Sequence, residues 1–403
     1  MKDLTEDPGW GISESIHALD VALEHIHVRR WQDGNLLATM PVNKTYGQQV
    51  VIHRADLHRI LIERALAQET VHLRENSPVV DVHFDSPCSV TLADGTIIHA
   101  DVILAADGIK SCIRKQLLND NTKAEPTGDA AYRVILPRAA MEADPELREL
   151  INEPQATRWL GPDRHIIAYP IRNHELYNVV LVHPDRHGIQ ESWTTRGSKQ
   201  EMVNNYHGWD RRITKLIDLV RDDEVLEWKL CLHSPLKTWV RGRVALLGDA
   251  CHPMLLVNSL FSFLHIIRPS NADVKNRPYI AQGAAQAVED GAALGVLLSA
   301  LTSPSQIPRA LAAYQNSRKS RAETVQHSGT QNRITLHFPD GPQKVLRDEQ
   351  FRESMRQTGS KVNPDKWADR ETQRLLWGWD AETVAWRAWR GKPFSFMLVN
   401  RGY

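Results

Sequence analysis

The chain has 403 residues, 42% of them hydrophobic and 24% charged, an ordinary globular composition that suits one large domain or two. Lysine plus arginine equals aspartate plus glutamate at 49 each, so no net field favours nucleic acid or an acidic membrane. The longest apolar stretch, 254–267, is broken by Asn258 and Ser259 and falls short of the ~20 residues a membrane helix needs.

The opening residues show no basic segment followed by an apolar run, so no signal peptide is expected. The cysteines, Cys88, Cys112, Cys231 and Cys251, form no CxxC pair and no close ligand spacing with histidine. The expectation is a cytoplasmic protein with reduced thiols, no metal site and no membrane segment.

Taken in order, "HVRRWQDGNLLATMP" reads as two strands around Asp33-Gly34, a pair that tolerates positive φ. "RADLHRILIERALA" has apolar residues at Leu57, Ile60, Leu61 and Leu66, a helical spacing, with Asp56 in the first turn. "SPVVDVHF", "SVTLADGTIIHA" and "DVILAADG" follow as strands, and the last runs through a tight turn into a helix. "AAYRVILP" predicts a strand and 141–151 a short helix. "HIIAYPI" and "LYNVVLVHP" predict two strands of an antiparallel sheet. Helices are expected at 209–220, 281–300 and from Pro308 to about His327, with a buried strand at "GRVALLGDA". The tail carries Trp367, Trp377, Trp379, Trp386 and Trp389 in amphipathic sequence, a pattern of packing or partner contact rather than of a ligand box. Buried strands feeding helices, mixed with alternating strands, give an α/β domain interleaved with a second sheet.

Three segments carry chemistry. "VALLGDACHP" ends an apolar strand at Gly248-Asp249, where a carboxylate can accept from ribose or ribitol hydroxyls. The helix beginning near Gly283 offers backbone N–H groups, and "AQGAAQA" supplies only small side chains, so a planar ligand can approach. "AADGIKSCIR" turns sharply at Asp107-Gly108, with Arg114 within reach of a phosphate. Arg54 opens a helix, where a guanidinium can serve as a charge-assisted donor. Each signal alone also fits an ordinary strand, turn or cap.

Together, "HRADLHRILIERAL", "DVILAADGIKSCIR" and "GRVALLGDACHPM" with "PYIAQGAAQAVEDGAALG" resemble the group A FAD-dependent aromatic monooxygenases, in particular the salicylate hydroxylase-like branch. The "WGWD" stretch at Trp377–Asp380 is similar to the same branch. The resemblance implies a Rossmann-like, three-layer FAD-binding domain interleaved with an antiparallel-sheet substrate domain and followed by C-terminal helices. On that plan residues 1–125 and 236–330 build the FAD-binding domain, 126–235 the substrate sheet, and 331–403 a helical region. It further implies FAD as cofactor, NADH or NADPH as co-substrate, and O2 with a small aromatic substrate as reactants. A flavin C4a-hydroperoxide would then attack a phenolate-like ring. By the same resemblance Arg54, Asp107, Gly108, Asp249, Gly283 and Ala284 would bind the cofactors, and Arg133, His165 and Tyr169 would face the substrate. His165 and Tyr169 lie four apart on one strand, hence on one face, and a histidine beside a phenol suits a general base. Sheet packing explains both equally well.

The sequence departs from the family's pattern twice. No Gly-x-Gly-x-x-Gly turn follows an apolar strand, so the ADP side of the cofactor lacks its usual turn, and neighbouring strands are expected to have an unpaired edge. Weak FAD binding follows as an expectation. Residues 256–277 intervene between "GDACHPML" and "PYIAQGA", and translated intron is the expected origin, with a functional lid as the other reading. The leading function is aromatic hydroxylation, in biosynthetic tailoring or in catabolism. The alternative is an inactive remnant that does not retain FAD.

Overall fold

The computed structural model describes residues 10–42, 44–45, 47–185, 196–254, 282–356, 364, 374 and 377–392. The segment 256–277, the "PYIA" stretch, most of the "NPDKWADRETQRLL" segment and Trp367 lie outside the described residues.

The first part of the chain forms α1 (Ser13–His17), β1 (Val21–Ala22), β2 (His25–Arg30), β3 (Leu36–Pro41), β4 (Val50–Val51) and α2 (Arg54–Leu66). A meander of β5 (Val79–His83), β6 (Cys88–Leu92) and β7 (Ile97–Ala100) leads to β8 (Ile103–Ala105) and α3 (Cys112–Leu118). The middle contains β9 (Glu125–Pro137), α4 (Arg138–Met141), α5 (Pro145–Asn152), β10 (Gln155–Gly161), β11 (Arg164–Ile171), β12 (Leu176–Pro184), α6 (Lys199–Asn205) and α7 (Arg211–Asp218). Then follow β13 (Leu226–Leu232), β14 (Val240–Arg241), β15 (Val244–Leu246), and the helices α8 (Gln282–Ser299), α9 (Ile307–Leu336), α10 (Pro342–Arg356) and α11 (Ala381–Trp389).

The expected helix over 141–151 is two helices. Asp144-Pro145 ends one and starts the next: the Asp144 carboxylate accepts the N–H groups of Glu146 and Leu147 at 2.9 and 3.2 Å, and Pro145 sits at the first helical position. A proline disfavours helical backbone before it and is preorganised to open a helix.

The large sheet has seven strands in the order β13-β9-β12-β11-β10-β2-β3. It is therefore not confined to 126–235: β2 and β3 join it, β2 parallel to β10. Side-chain alternation decides which residues share a face. On one face Tyr132, Val134, Tyr177, Val179, Leu181 and Ile166 pack under the helices of the middle segment. In α7, Ile213, Leu216 and Ile217 are all buried against this face, each contributing about 1.5–3 kcal/mol. On the other face Ile26, Val28, Leu160 and Ile167 pack with Phe351 of α10 at the β2-β10 end. The β9-β12 end of that face stays partly open, with Ile135 and Leu226 exposed.

A second, small sheet has the order β14-β15-β8, with β15 parallel to β8. Val244, Ala245 and Leu246 are completely buried, as a parallel strand covered on both sides must be. Among the described residues β8 is an edge strand, and Leu104 on it is exposed. Helices α8 and α9 pack on this sheet through Leu294, Leu297, Leu311 and Tyr314, and α11 adds Ala385 and Trp389. Two of the tail tryptophans stack under arginines of α9: Arg309 lies over Trp389 at 4.2 Å and Arg321 over Trp379 at 4.5 Å. The fold is thus the mixed α/β arrangement with C-terminal helices that the motifs imply. No helix among the described residues is long and apolar enough to cross a membrane.

Candidate active site

Parallel pairing of β8 with β15 brings the two turn motifs together. Ala105 pairs with Leu246, and the Leu247 N–H bonds to the Ala105 carbonyl at 3.0 Å. Both strands therefore end at the same edge, one running into Asp107-Gly108 and the other into Gly248-Asp249. The carboxyl edge of parallel strands is where open α/β sheets hold ligands. Gly108 and Gly248 have φ of +79° and +58°, left-handed values that glycine adopts without strain.

Asp107 is exposed at this turn, but its carboxylate is engaged. One carboxylate oxygen accepts the Ser111 hydroxyl at 2.6 Å and the other the Ile113 N–H at 3.2 Å, so the side chain ties the turn to the start of α3. Arg114, expected near a phosphate, is buried, and its Nη1 reaches the Ala250 carbonyl at 3.4 Å. It joins α3 to the turn after β15. Around Gly108 there is open space where a Cβ would stand.

Asp249 differs. It is open to solvent but ringed by protein. That crowding raises its carboxyl above the usual range, and His252 and then Arg54 pull it back down. Arg54, exposed at the start of α2, is thus near enough to Asp249 for its charge to be felt there. Gly283 and the exposed Ala284 stand at the start of α8, and a Cβ on Gly283 would stand 3.6 Å from Met254 in the segment after the Gly248 turn.

A buried ion cluster sits beneath the Gly248 turn. Asp290 accepts the Gly248 N–H at 2.9 Å, lies 2.6 Å from His252 Nε2, and pairs with Arg318 Nε at 2.9 Å. Glu289 pairs with Arg318 and, at 2.6 and 2.7 Å, with Arg321. Burial alone would raise both carboxyls. The cations overcome it: Arg321 and Arg318 hold Glu289 at about 2, and His252 and Arg318 hold Asp290 at about 2. Cys251, His252 and Asp290 also lie close enough together to suit a metal ion. Arg318 already neutralises that carboxylate, so the donor set is spoken for. Sequence reasoning missed this cluster. Its signal was "VEDG" in "AQAVEDGAAL" with arginines three apart in "SRKSRA".

The substrate-side residues separate. Arg133 on β9 and Tyr169 on β11 come together on the open end of the large sheet, bridged by Asn178 on β12. Asn178 stands opposite Tyr169 and opposite Ile135 in the ladder, and its Oδ1 accepts Arg133 Nε at 3.1 Å. Burial raises the Tyr169 phenol, and Arg133 partly offsets this. His53, the cap of α2, is held below the usual histidine range by burial; Asp56 opposes this, and Arg172 and Arg133 add to it. Arg172 binds the Asp56 carboxylate in a fork, at 2.8 and 2.7 Å, and so fastens α2 to the sheet. His165 is elsewhere. It is buried, and its Nδ1 lies 2.7 Å from Nε2 of His337 at the end of α9. The structure does not bring it together with Arg133 and Tyr169.

The residues present on the riboflavin side fit FAD. An exposed carboxylate feels a nearby guanidinium, both turns carry a glycine at positive φ, and α8 opens on Gly283 and Ala284.

Residues 9–259 match the family model described as "FAD binding domain". The FAD-dependent monooxygenase atnJ of Arthrinium sp is 39% identical over 381 residues, covering 93% of this chain and 83% of that protein. The 6-hydroxynicotinate 3-monooxygenase of Pseudomonas fluorescens is 30% identical over 335 residues, covering 80% of this chain and 77% of that protein. Among solved structures, a salicylate hydroxylase substrate complex superposes with a TM-score of 0.72 at 24% identity, over 94% of this chain and 86% of that one. Nothing in these likenesses supports an inactive remnant.

Proposed function

This chain belongs to the FAD-dependent monooxygenases, the group A aromatic hydroxylase-like family, and from that premise we propose that it hydroxylates a phenolic ring using NADH or NADPH and O2. One observation carries the reading. The Asp107-Gly108 and Gly248-Asp249 turns leave one parallel pair at the same edge, and the charge of Arg54 is felt at Asp249.

The chemistry that FAD brings when bound is uptake of reducing equivalents from NAD(P)H and activation of O2 for transfer of one oxygen atom to the ring. The protein's part is binding, orientation and shielding. Asp249 would accept hydrogen bonds from hydroxyls of the ribityl chain. Arg54 donates to an anionic or carbonyl oxygen of the cofactor. Gly283 and Ala284 let the ring approach backbone. Asp107 shapes the turn by its bonds to Ser111 and Ile113, and Gly108 leaves room there for either cofactor.

On the substrate side Arg133 favours the ionised form of a phenol held near it, since an adjacent cation stabilises the phenolate. Ionisation raises the ring's electron density, which an electrophilic oxygen requires. The Tyr169 phenol keeps its proton at neutral pH and orients the ring by hydrogen bonding. His165 holds β11 to the end of α9, and its part in the reaction is positional. That one relative acts on 6-hydroxynicotinate, a ring bearing both hydroxyl and carboxylate, supports a small aromatic acid or phenol as substrate. The cytoplasm, where NAD(P)H is regenerated and the four unpaired cysteines stay reduced, suits this activity.

The test is direct. FAD-loaded protein is given NADH or NADPH and a panel of phenols under 18O2. We expect phenol-stimulated oxidation of the nicotinamide and a product carrying one heavy oxygen. A product without the label, or no stimulation by any phenol, would sink the proposal.

A further inference from the structure

Arg133 and Asn178 form a pair whose chemistry goes beyond this reading while resting on it. A guanidinium only donates. The 3.1 Å contact from Arg133 Nε therefore fixes the orientation of the Asn178 amide, with Oδ1 toward Arg133 and Nδ2 turned away. Nδ2 has no hydrogen-bond partner among the described residues, although the Asn178 side chain is only 1% exposed. A buried donor left unmet is costly, so an acceptor that reaches it is favoured. Nor does any carboxylate among the described residues pair with Arg133.

The surroundings complete the picture. Asn178 lies across the ladder from Tyr169 on one side and Ile135 on the other, and Leu226 stands across from Arg133. Ile135 and Leu226 are exposed, so apolar surface flanks a half-buried cation and a buried donor at the open end of the sheet. Apolar flanks suit a ring. A set of donors with no acceptor suits an oxyanion.

We propose that Asn178 is a positioning and specificity residue: it holds the Arg133 guanidinium and, with it, selects aromatic substrates that carry an oxyanion, carboxylate or phenolate, over their neutral analogues. A neutral amide or ether fails for a physical reason. It meets the donors Arg133 and Asn178 Nδ2 with its own N–H groups, or with an oxygen that bears no charge.

The experiment uses the FAD-loaded full chain and calorimetric binding of two probe pairs, salicylate with salicylamide and 4-nitrophenol, above its ionisation point, with 4-nitroanisole. The first pair reads a carboxylate and the second a phenolate. We expect the ionised member of at least one pair to bind about tenfold or more tighter, the effect of one charge-assisted hydrogen bond. Asn178→Leu releases Arg133, and Asn178→Asp keeps the contact but neutralises it. Each narrows the preferred pair's ratio by about tenfold. A purely structural role would weaken both members equally and leave the ratio unchanged, which overturns the proposal. Equal binding of both members by the wild-type protein overturns it as well, and needs no variant to fold. If FAD is retained and no probe binds, the aromatic-substrate reading falls and this inference with it.

Discussion

His252 Nε2 lies 2.6 Å from Asp290 Oδ2, directly under the turn that presents Asp249. The same oxygen takes the Gly248 N–H, and the other oxygen of Asp290 is held by Arg318. The turn that carries the exposed Asp249 carboxylate is thus held by a fully buried carboxylate. The links run from α9 through α8 to the end of β15.

Asp290→Ala should therefore act twice. It leaves Arg318 partly unpaired inside the protein, and breaking a buried pair from one side costs about 3–5 kcal/mol. It also frees the Gly248 turn, so FAD affinity should fall together with stability. Urea unfolding and flavin fluorescence titration read the two effects. A variant as stable as the parent would show that the cluster does not support the turn.

Acid should unfold the protein partly through this cluster. Glu289 and Asp290 are both held at about 2 in the folded state, below the unfolded carboxylate values near 4. A depressed folded pKa gives stability that is fully present above the unfolded pKa. That contribution is lost as the pH falls from about 4 toward about 2. Unfolding free energy measured across that window should decline steeply. The Glu289→Gln, Asp290→Asn double variant should show a shallower slope.

Asp249 and Arg54 should set cofactor affinity without carrying the fold. Both are exposed, so Asp249→Ala and Arg54→Met should leave the melting temperature near the parent's. Each should weaken FAD binding by about tenfold to a hundredfold, the range of a hydrogen bond to a charged group. Fluorescence quenching of FAD measures this. Unchanged affinity in both variants would remove them from the cofactor site.

His165 and Tyr169 share a strand and a face, yet they should behave differently. His165→Leu takes away a partner of buried His337 and should lower stability by about 1–3 kcal/mol. Tyr169→Phe should instead change KM and kcat for a phenol and leave the melting temperature nearly unmoved. Calorimetry beside steady-state kinetics separates the cases. Lost turnover at full stability in the His165 variant would restore the general-base role.

The sequence announced most of the elements because their signals are local. Alternation marked β11 and β12, three-and-four spacing marked α2, and Asp33-Gly34 marked the turn between β2 and β3. Proline chemistry was legible too, but its effect on the 141–151 helix depends on a single Asp-Pro step that the apolar periodicity hides. The buried cluster was not legible, because its members come from the β15 turn, α8 and α9, and only packing pairs them. Nor was Asn178. An asparagine within "LYNVVLVHP" looks like an interruption of a strand until the ladder sets it between Arg133 and Tyr169.

Sequence alone determined the class of chemistry. The two turn motifs, the helix-opening arginine and the small-residue stretch, in that order, carry the resemblance to the FAD-dependent monooxygenases, since turns and helix starts are local requirements. Tertiary structure decided how each of those residues is placed. Asp249 and Arg54 are exposed, Asp107 is tied to the start of α3, Arg114 reaches from α3 to the turn after β15, and His165 is bound to His337. The reason is that a side chain's availability depends on what lies within about 3 Å of its polar atoms. Here those neighbours come from segments far apart in the chain.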